Sequence, residues 1–144
     1  MVKQFETLTE EEQELLLRAP VLVSVMSSCS YNNVNHLKKE DAIKLSHINT
    51  FTADPMLIPY YKEVEKNFKE KFEATVAKYF PFDHEKRQEL LNEINQVSAV
   101  IGKLDLKFAN TLRRSLDLFA KHVRNAHSVI RDFMFPIPIQ GLTT

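Results

Sequence analysis

From Glu10 to Met26 the chain reads EEEQELLLRAPVLVSVM, and Leu15, Leu16, Leu17, Ala19, Val21, Leu22, Val25 and Met26 make a helix through it apolar on nearly every side. A helix without a polar face has to be surrounded, so this stretch belongs deep in a core that other elements build around it. Thr9 and Glu12 have the form of a capping box. Hydroxyl and carboxylate satisfy free N–H groups of the first turn, and the acidic run of Glu10, Glu11 and Glu12 suits the helix dipole. Pro20 lies inside the run. It supplies no N–H and its ring presses on the carbonyl a turn earlier, so a kink, or a split into two short helices, is expected around Ala19.

The elements around this segment are expected to be helices too. Two glycines in 144 residues, no tryptophan and many Leu, Lys, Glu and Asn disfavour a strand-rich sandwich with its glycine turns. The length suits one domain that buries a core without disulfide or metal staples. The expected class is all-α: a single compact bundle of about five to seven helices over residues 1–144, with 1–8 as a lead and 136–144 as an extended tail.

After the polar stretch SSCSYNNVN, a second helix is predicted from Lys38 to about Thr52, burying Ala42, Ile43, Leu45, Ile48 and Phe51 and turning Lys44 and Asn49 outward. Asp54-Pro55 predicts a short capped turn. A long third helix then runs from about Pro59 to Tyr79, with Tyr61, Val64, Phe68, Phe72, Val76 and Tyr79 as its buried stripe. Phe80-Pro81-Phe82 ends it and Asp83 can cap the fourth, which uses Leu90, Leu91, Ile94, Val97, Val100 and Ile101 and closes at Gly102 in the left-handed conformation. From Asp105 a fifth stretch keeps helical period through Phe108, Leu112, Leu116, Phe119, Val123, Ala126, Ile130 and Phe133. The tail, PIPIQGLTT, has prolines that forbid helix, and Ile137 and Ile139 could lay it over the bundle or form a small dimer contact.

Lys plus Arg equals Asp plus Glu at 19 each, so no overall field recommends nucleic acid or an anionic membrane as a partner. The N-terminal MVKQFETLTEEEQ has no apolar signal region, no stretch is long enough to span a bilayer, and a single cysteine fits a reducing compartment. A cytoplasmic protein, monomer or weak homodimer, is expected.

Residues 8–45, LTEEEQELLLRAPVLVSVMSSCSYNNVNHLKKEDAIKL, resemble the start of a tellurite-resistance TerB-like domain, and residues 102–126, GKLDLKFANTLRRSLDLFAKHVRNA, are similar to the later helical segment of such proteins. The resemblance implies a small, all-helical, non-enzymatic protein. Many members carry an acidic loop, Asp-Gly-x-Ile-x-x-x-Glu, associated with divalent-metal binding. Setting Leu37 on the motif's Ile places Val34 and Asn35 at the Asp-Gly pair and Asp41 at the Glu, so one of the two acids is missing.

Hard cations want about six to eight oxygens, several of them charged. Between Ser27 and Leu45 only Glu40 and Asp41 are carboxylates, and on a helix they point about 100° apart. Asn32, Asn33 and Asn35 add only neutral oxygens. The segment therefore reads as a hinge that has lost its metal. The alternative is a calcium-type site on Asn32, Asn33, Asn35, Glu40 and Asp41.

Other chemistry is thinly supported. His36, His47, His84, His122 and His127 show no His-x-x-x-His or Glu-x-x-His pair and read as surface or cap residues. Cys29 has no adjacent cation or base and reads as packing at the end of the first helix. No phosphate loop can be made from Gly102 and Gly141, and no cofactor or nucleophile–base pair is expected. What remains is a basic strip on the last helix, Lys107, Arg113, Arg114, Lys121, Arg124 and Arg131, set against acidic Glu10, Glu11, Glu12 and Glu14. Such asymmetry can guide a protein partner, pair within the fold, or be a solvated face. The candidate partner surface is Arg113, Arg114, Lys121, Arg124, Ile137 and Ile139, in a non-enzymatic interaction module.

Overall fold

A computed structural model describes the backbone of residues 2–30, 33–34 and 36–124 and the side chains of 2–27 and 39–123. The expected continuation of the last helix to Phe133, and the tail with Ile137 and Ile139, lie outside these residues, as do Asn32, Asn35, His127 and Arg131. The described residues form an all-α bundle: α1 (Glu10–Ser28), α2 (His36–Thr52), α3 (Ile58–Lys66), α4 (Phe68–Tyr79), α5 (His84–Ile101) and α6 (Leu106–Arg124). One two-residue antiparallel pair, β1 (Cys29–Ser30) with β2 (Asn33–Val34), joins α1 to α2, pairing Cys29 with Val34 and Ser30 with Asn33. Cys29 thus stands just past the helix rather than in it.

α1 is the central column, packed against α6, α5 and α4. Its capping box forms in both directions: Thr9 N donates to Glu12 Oε1 at 3.0 Å, and Glu12 N donates to Thr9 Oγ1 at 3.1 Å. The split expected at Ala19 does not occur, since α1 runs as one helix with Pro20 inside it. The carbonyl that proline leaves without a helical donor, four residues back, is that of Leu16. Tyr60, fully buried on α3, donates its hydroxyl to this oxygen at 2.6 Å. Ser24 Oγ, also fully buried, donates to the Pro20 carbonyl at 2.6 Å.

The lead is not a loose lead. Residues Lys3–Phe5 form a short 3-10 turn, and Val2, Phe5 and Leu8 are buried, Phe5 to 1 % exposure. Phe5 lies edge-on to Tyr60 and Phe108, with centroids 6.0 and 6.2 Å away. Gln13 on the first turns of α1 holds the lead down by donating Nε2 to the carbonyls of Phe5 and Leu8 at 3.0 and 3.1 Å.

The single long third helix is two. The chain breaks at Asn67, whose φ of −130° and ψ of 24° are non-helical, while its carbonyl accepts from Lys71 N to start α4. The buried stripe of Tyr60, Tyr61, Val64, Phe68, Phe72 and Tyr79 passes through this break in phase, so periodicity does not reveal it. Asp54 caps the 3-10 turn Pro55–Leu57 by accepting from Met56 N at 3.0 Å, Asp83 caps α5 through Lys86 N at 2.8 Å, and Asp105 caps α6 through Phe108 N at 3.2 Å.

Gly102 is right-handed (φ −61°, ψ −14°), not left-handed. Lys103 and Leu104 donate back three residues to Val100 and Ile101, so α5 closes in a tightened turn that needs no positive φ. On α2, Ala42 and Leu45 are buried as expected, but Phe51 is 62 % exposed, edge-on to His47.

Candidate binding groove between α2 and α6

Thr111, Arg114, Ser115, Leu118, Phe119 and His122 fall at helical spacing along one stripe of α6 that runs for about 16 Å at 1.5 Å per residue. Opposite them stand Leu45, Asn49 and Thr52 of α2 and Ala53, Asp54 and Leu57 of the connection that follows. The two walls enclose a groove of about 400 Å³. The sequence does not announce it, because its walls are some sixty residues apart.

The floor is apolar and fixed. Leu45, Leu57 and Phe119 are buried, and Phe119 stacks on Tyr61 with centroids 6.2 Å apart and planes 6° from parallel. Tyr61 in turn shares a 2.6 Å hydrogen bond with Ser115 Oγ, and Asn49, half-buried in the groove wall, faces inward rather than outward as expected. Burial pushes the Tyr61 phenol up to about 12, against the opposing pull of Ser115 and Asn49.

The polar groups at the walls are mostly committed to their own helices. Thr111 Oγ1 donates to the Lys107 carbonyl at 2.8 Å, Thr52 Oγ1 to that of Ile48 at 3.0 Å, and His122 Nδ1 lies 2.8 Å from that of Leu118, where it must be the donor. Arg114 differs. It is exposed at the groove, and among the described residues it has no ion-pair or hydrogen-bond partner.

The rest of the basic strip is less available. Arg113 Nη2 reaches the Ser98 carbonyl at 3.4 Å, and Lys121 pairs with Asp117 at 3.3 Å. Lys107 is exposed, and the side chain of Arg124 lies outside the described set. The acidic start of α1 is answered from elsewhere, Glu12 by Lys103 and Glu14 by Lys71 at 3.0 Å. The Lys103 ammonium, with the Thr9 N–H, holds the Glu12 carboxyl below its usual range.

The loop aligned with the acidic motif is a hairpin-like pair rather than an open loop. Asn33 lies in β2, Glu40 is exposed and Asp41 half-buried on the first turns of α2, and Asn32 and Asn35 lie outside the described residues. Among the described residues no three His, Cys, Asp or Glu side chains converge. His36 heads α2 and exposed His84 heads α5, while His47 pairs with the Glu65 carboxylate across α2 and α3. His122, read from sequence as a surface residue, lines the groove.

A second polar cluster is structural. Glu93 on α5 takes Arg18 of α1 at 2.6 Å, the Tyr79 hydroxyl of α4 at 2.5 Å and Lys78 at 3.6 Å, so one carboxylate ties three helices. Burial, and then the neighbouring Glu93, push the Tyr79 phenol up.

No family model matches this sequence, and neither a curated protein nor a solved structure matches it. No helix among the described residues is long and apolar enough to cross a membrane.

Proposed function

We propose that the protein is a non-enzymatic helical interaction module of the TerB-like kind, cytoplasmic, with its metal loop reduced to a hinge, and that it meets a protein partner through the α6 face beside the groove. The observation that carries this reading is Arg114: an exposed cation without a partner among the described residues, one turn from Leu118, which is itself 36 % exposed. Arginine beside an apolar cleft is a combination that protein interfaces favour, because the guanidinium pairs with a partner's carboxylate while the cleft takes an apolar side chain. Of the strip read from the sequence, Arg113 and Lys121 serve as flanking charge already engaged with Ser98 and Asp117.

The test is site-specific photo-crosslinking in the native cell. A photoreactive residue at Leu118 should give a discrete adduct, which Arg114→Glu abolishes, while the same residue at exposed Gln96 on α5 gives none. Identical products from both positions, or none at Leu118, would sink the reading.

A further inference from the structure

We infer that the α2–α6 groove is a binding site for an apolar monocarboxylic acid, a single hydrocarbon chain bearing one carboxylate. This goes beyond the protein contact proposed for the α6 face and competes with it, since both engage Arg114 and the cleft beside it.

Shape restricts the occupant first. A volume of about 400 Å³ lies in the range of small-molecule sites, about 300–1,000 Å³. A helix about 10–12 Å across and about 16 Å long fills about 1,300–1,800 Å³, far more than the groove holds. A partner's helix cannot lie inside; one extended chain can. The floor of Leu45, Leu57 and Phe119 offers that chain only carbon, and Leu118 can close over it from the α6 side.

Charge then fixes the head group. The titratable groups lining the groove are Arg114, His122 and Asp54. Among the described residues Arg114 has no partner, and its planar fork matches a carboxylate with two parallel N–H···O bonds. Asp54 stands on the opposite wall, held by Met56 N, and its repulsion disfavours any anionic charge beyond the one that pairs directly with Arg114, so a monoanion is preferred over a dianion such as a phosphate monoester. Ser115, next to Arg114 in the chain, can add a donor. When the Tyr61 phenol donates in their 2.6 Å bond, the Ser115 hydroxyl hydrogen is released to the groove. The carboxylate therefore sits toward Arg114 and Ser115, with its chain along the floor.

The experiment uses the full chain and three probes below their aggregation concentrations: decanoate, decan-1-ol and decyl phosphate, followed by calorimetry and backbone amide shifts. Decanoate is expected to bind saturably at one site, at least about tenfold tighter than decanol, and to shift amides within 45–57 and 111–122. Octanoate, two methylenes shorter, should bind about fifteenfold more weakly, since each buried methylene is worth about fourfold in affinity. Arg114→Gln, an exposed position whose replacement leaves the core untouched, should erase the preference for decanoate over decanol.

Equal binding of decanoate and decanol, unsaturable binding, or shifts confined to other surfaces would overturn the inference. So would tighter binding of dianionic decyl phosphate than of decanoate. The wild-type comparison decides even if the variant folds poorly. It also stands apart from the crosslinking result, which can fail while the groove still takes its acid.

Discussion

The hydroxyl of Tyr60 on α3 donates to the main-chain oxygen of Leu16 on α1 at 2.6 Å, and that oxygen is the one Pro20 leaves without a helical donor. A side chain 44 positions later in the chain thus closes the gap that proline opens in the central helix. Burial, and then the neighbouring Tyr61, push the Tyr60 phenol well up, so the group stays a neutral donor wherever the fold is stable.

Tyr60→Phe keeps the ring and its edge contacts with Phe5 and Tyr61 but strands the Leu16 carbonyl in a dry core. The expected loss is about 1–3 kcal/mol, read from urea unfolding. A change indistinguishable from zero would mean that this oxygen finds another donor.

Phe5 and Gln13 test whether the first residues belong to the core. Phe5→Ala removes a ring packed between Tyr60 and Phe108 and should cost about 3–5 kcal/mol, also by urea unfolding. Gln13→Ala removes the two bonds that pin the lead and should cost about 1–2 kcal/mol. If both changes are silent, the lead is dispensable.

Alkaline pH should unfold the protein in a defined window. Tyr60 and Tyr61 keep their protons in the fold to higher pH than in the unfolded chain, where a tyrosine titrates near about 10. Above that value the unfolded state binds fewer protons, so stability is fully present below about pH 10 and is lost as pH rises toward about 12, the folded value for Tyr61. Each tyrosine adds a slope of about 1.4 kcal/mol per pH unit within its window. Urea midpoints taken between about pH 8 and about pH 11.5 should be level at first and then fall steeply; a flat profile across pH 10 contradicts the burial of the two phenols.

Calcium should leave the protein unmoved. With Glu40 exposed and Asp41 half-buried on α2, a hinge reading of the 29–41 segment predicts no saturable rise in Tm on calcium addition. A ligand that binds only the folded state must stabilise it, so a rise of several degrees that saturates at micromolar calcium would restore the metal site to this loop.

Much of the fold is legible in the sequence because it is written locally. Thr9 with Glu12, Asp54 before Pro55 and Asp83 each satisfy N–H groups within their own first turn, and each forms as read. What escapes is written between distant residues. Nothing near Pro20 says that Tyr60 will supply a donor, and nothing near Asn67 marks a break, since the buried stripe keeps its phase and no proline or glycine stands there. Phe51 shares the helical spacing of α2's buried residues yet points to solvent beside His47. The groove is the extreme case. Arg114 reads as one charge in a basic strip, and it becomes distinctive only when α2 lies opposite and its neighbours Arg113 and Lys121 prove to be engaged elsewhere.

The two helices bordering the groove, α2 and α6, both pack on an α1 that runs unbroken, so the most direct test is a double-mutant cycle on Pro20 and Tyr60. Pro20→Ala returns an N–H to the Leu16 carbonyl, after which Tyr60→Phe should cost far less than in the wild type. The predicted coupling is about 1–2 kcal/mol, measured by urea unfolding of all four proteins. Costs that simply add, with Tyr60→Phe equally damaging in both backgrounds, would show that the phenol does not stand in for the missing amide.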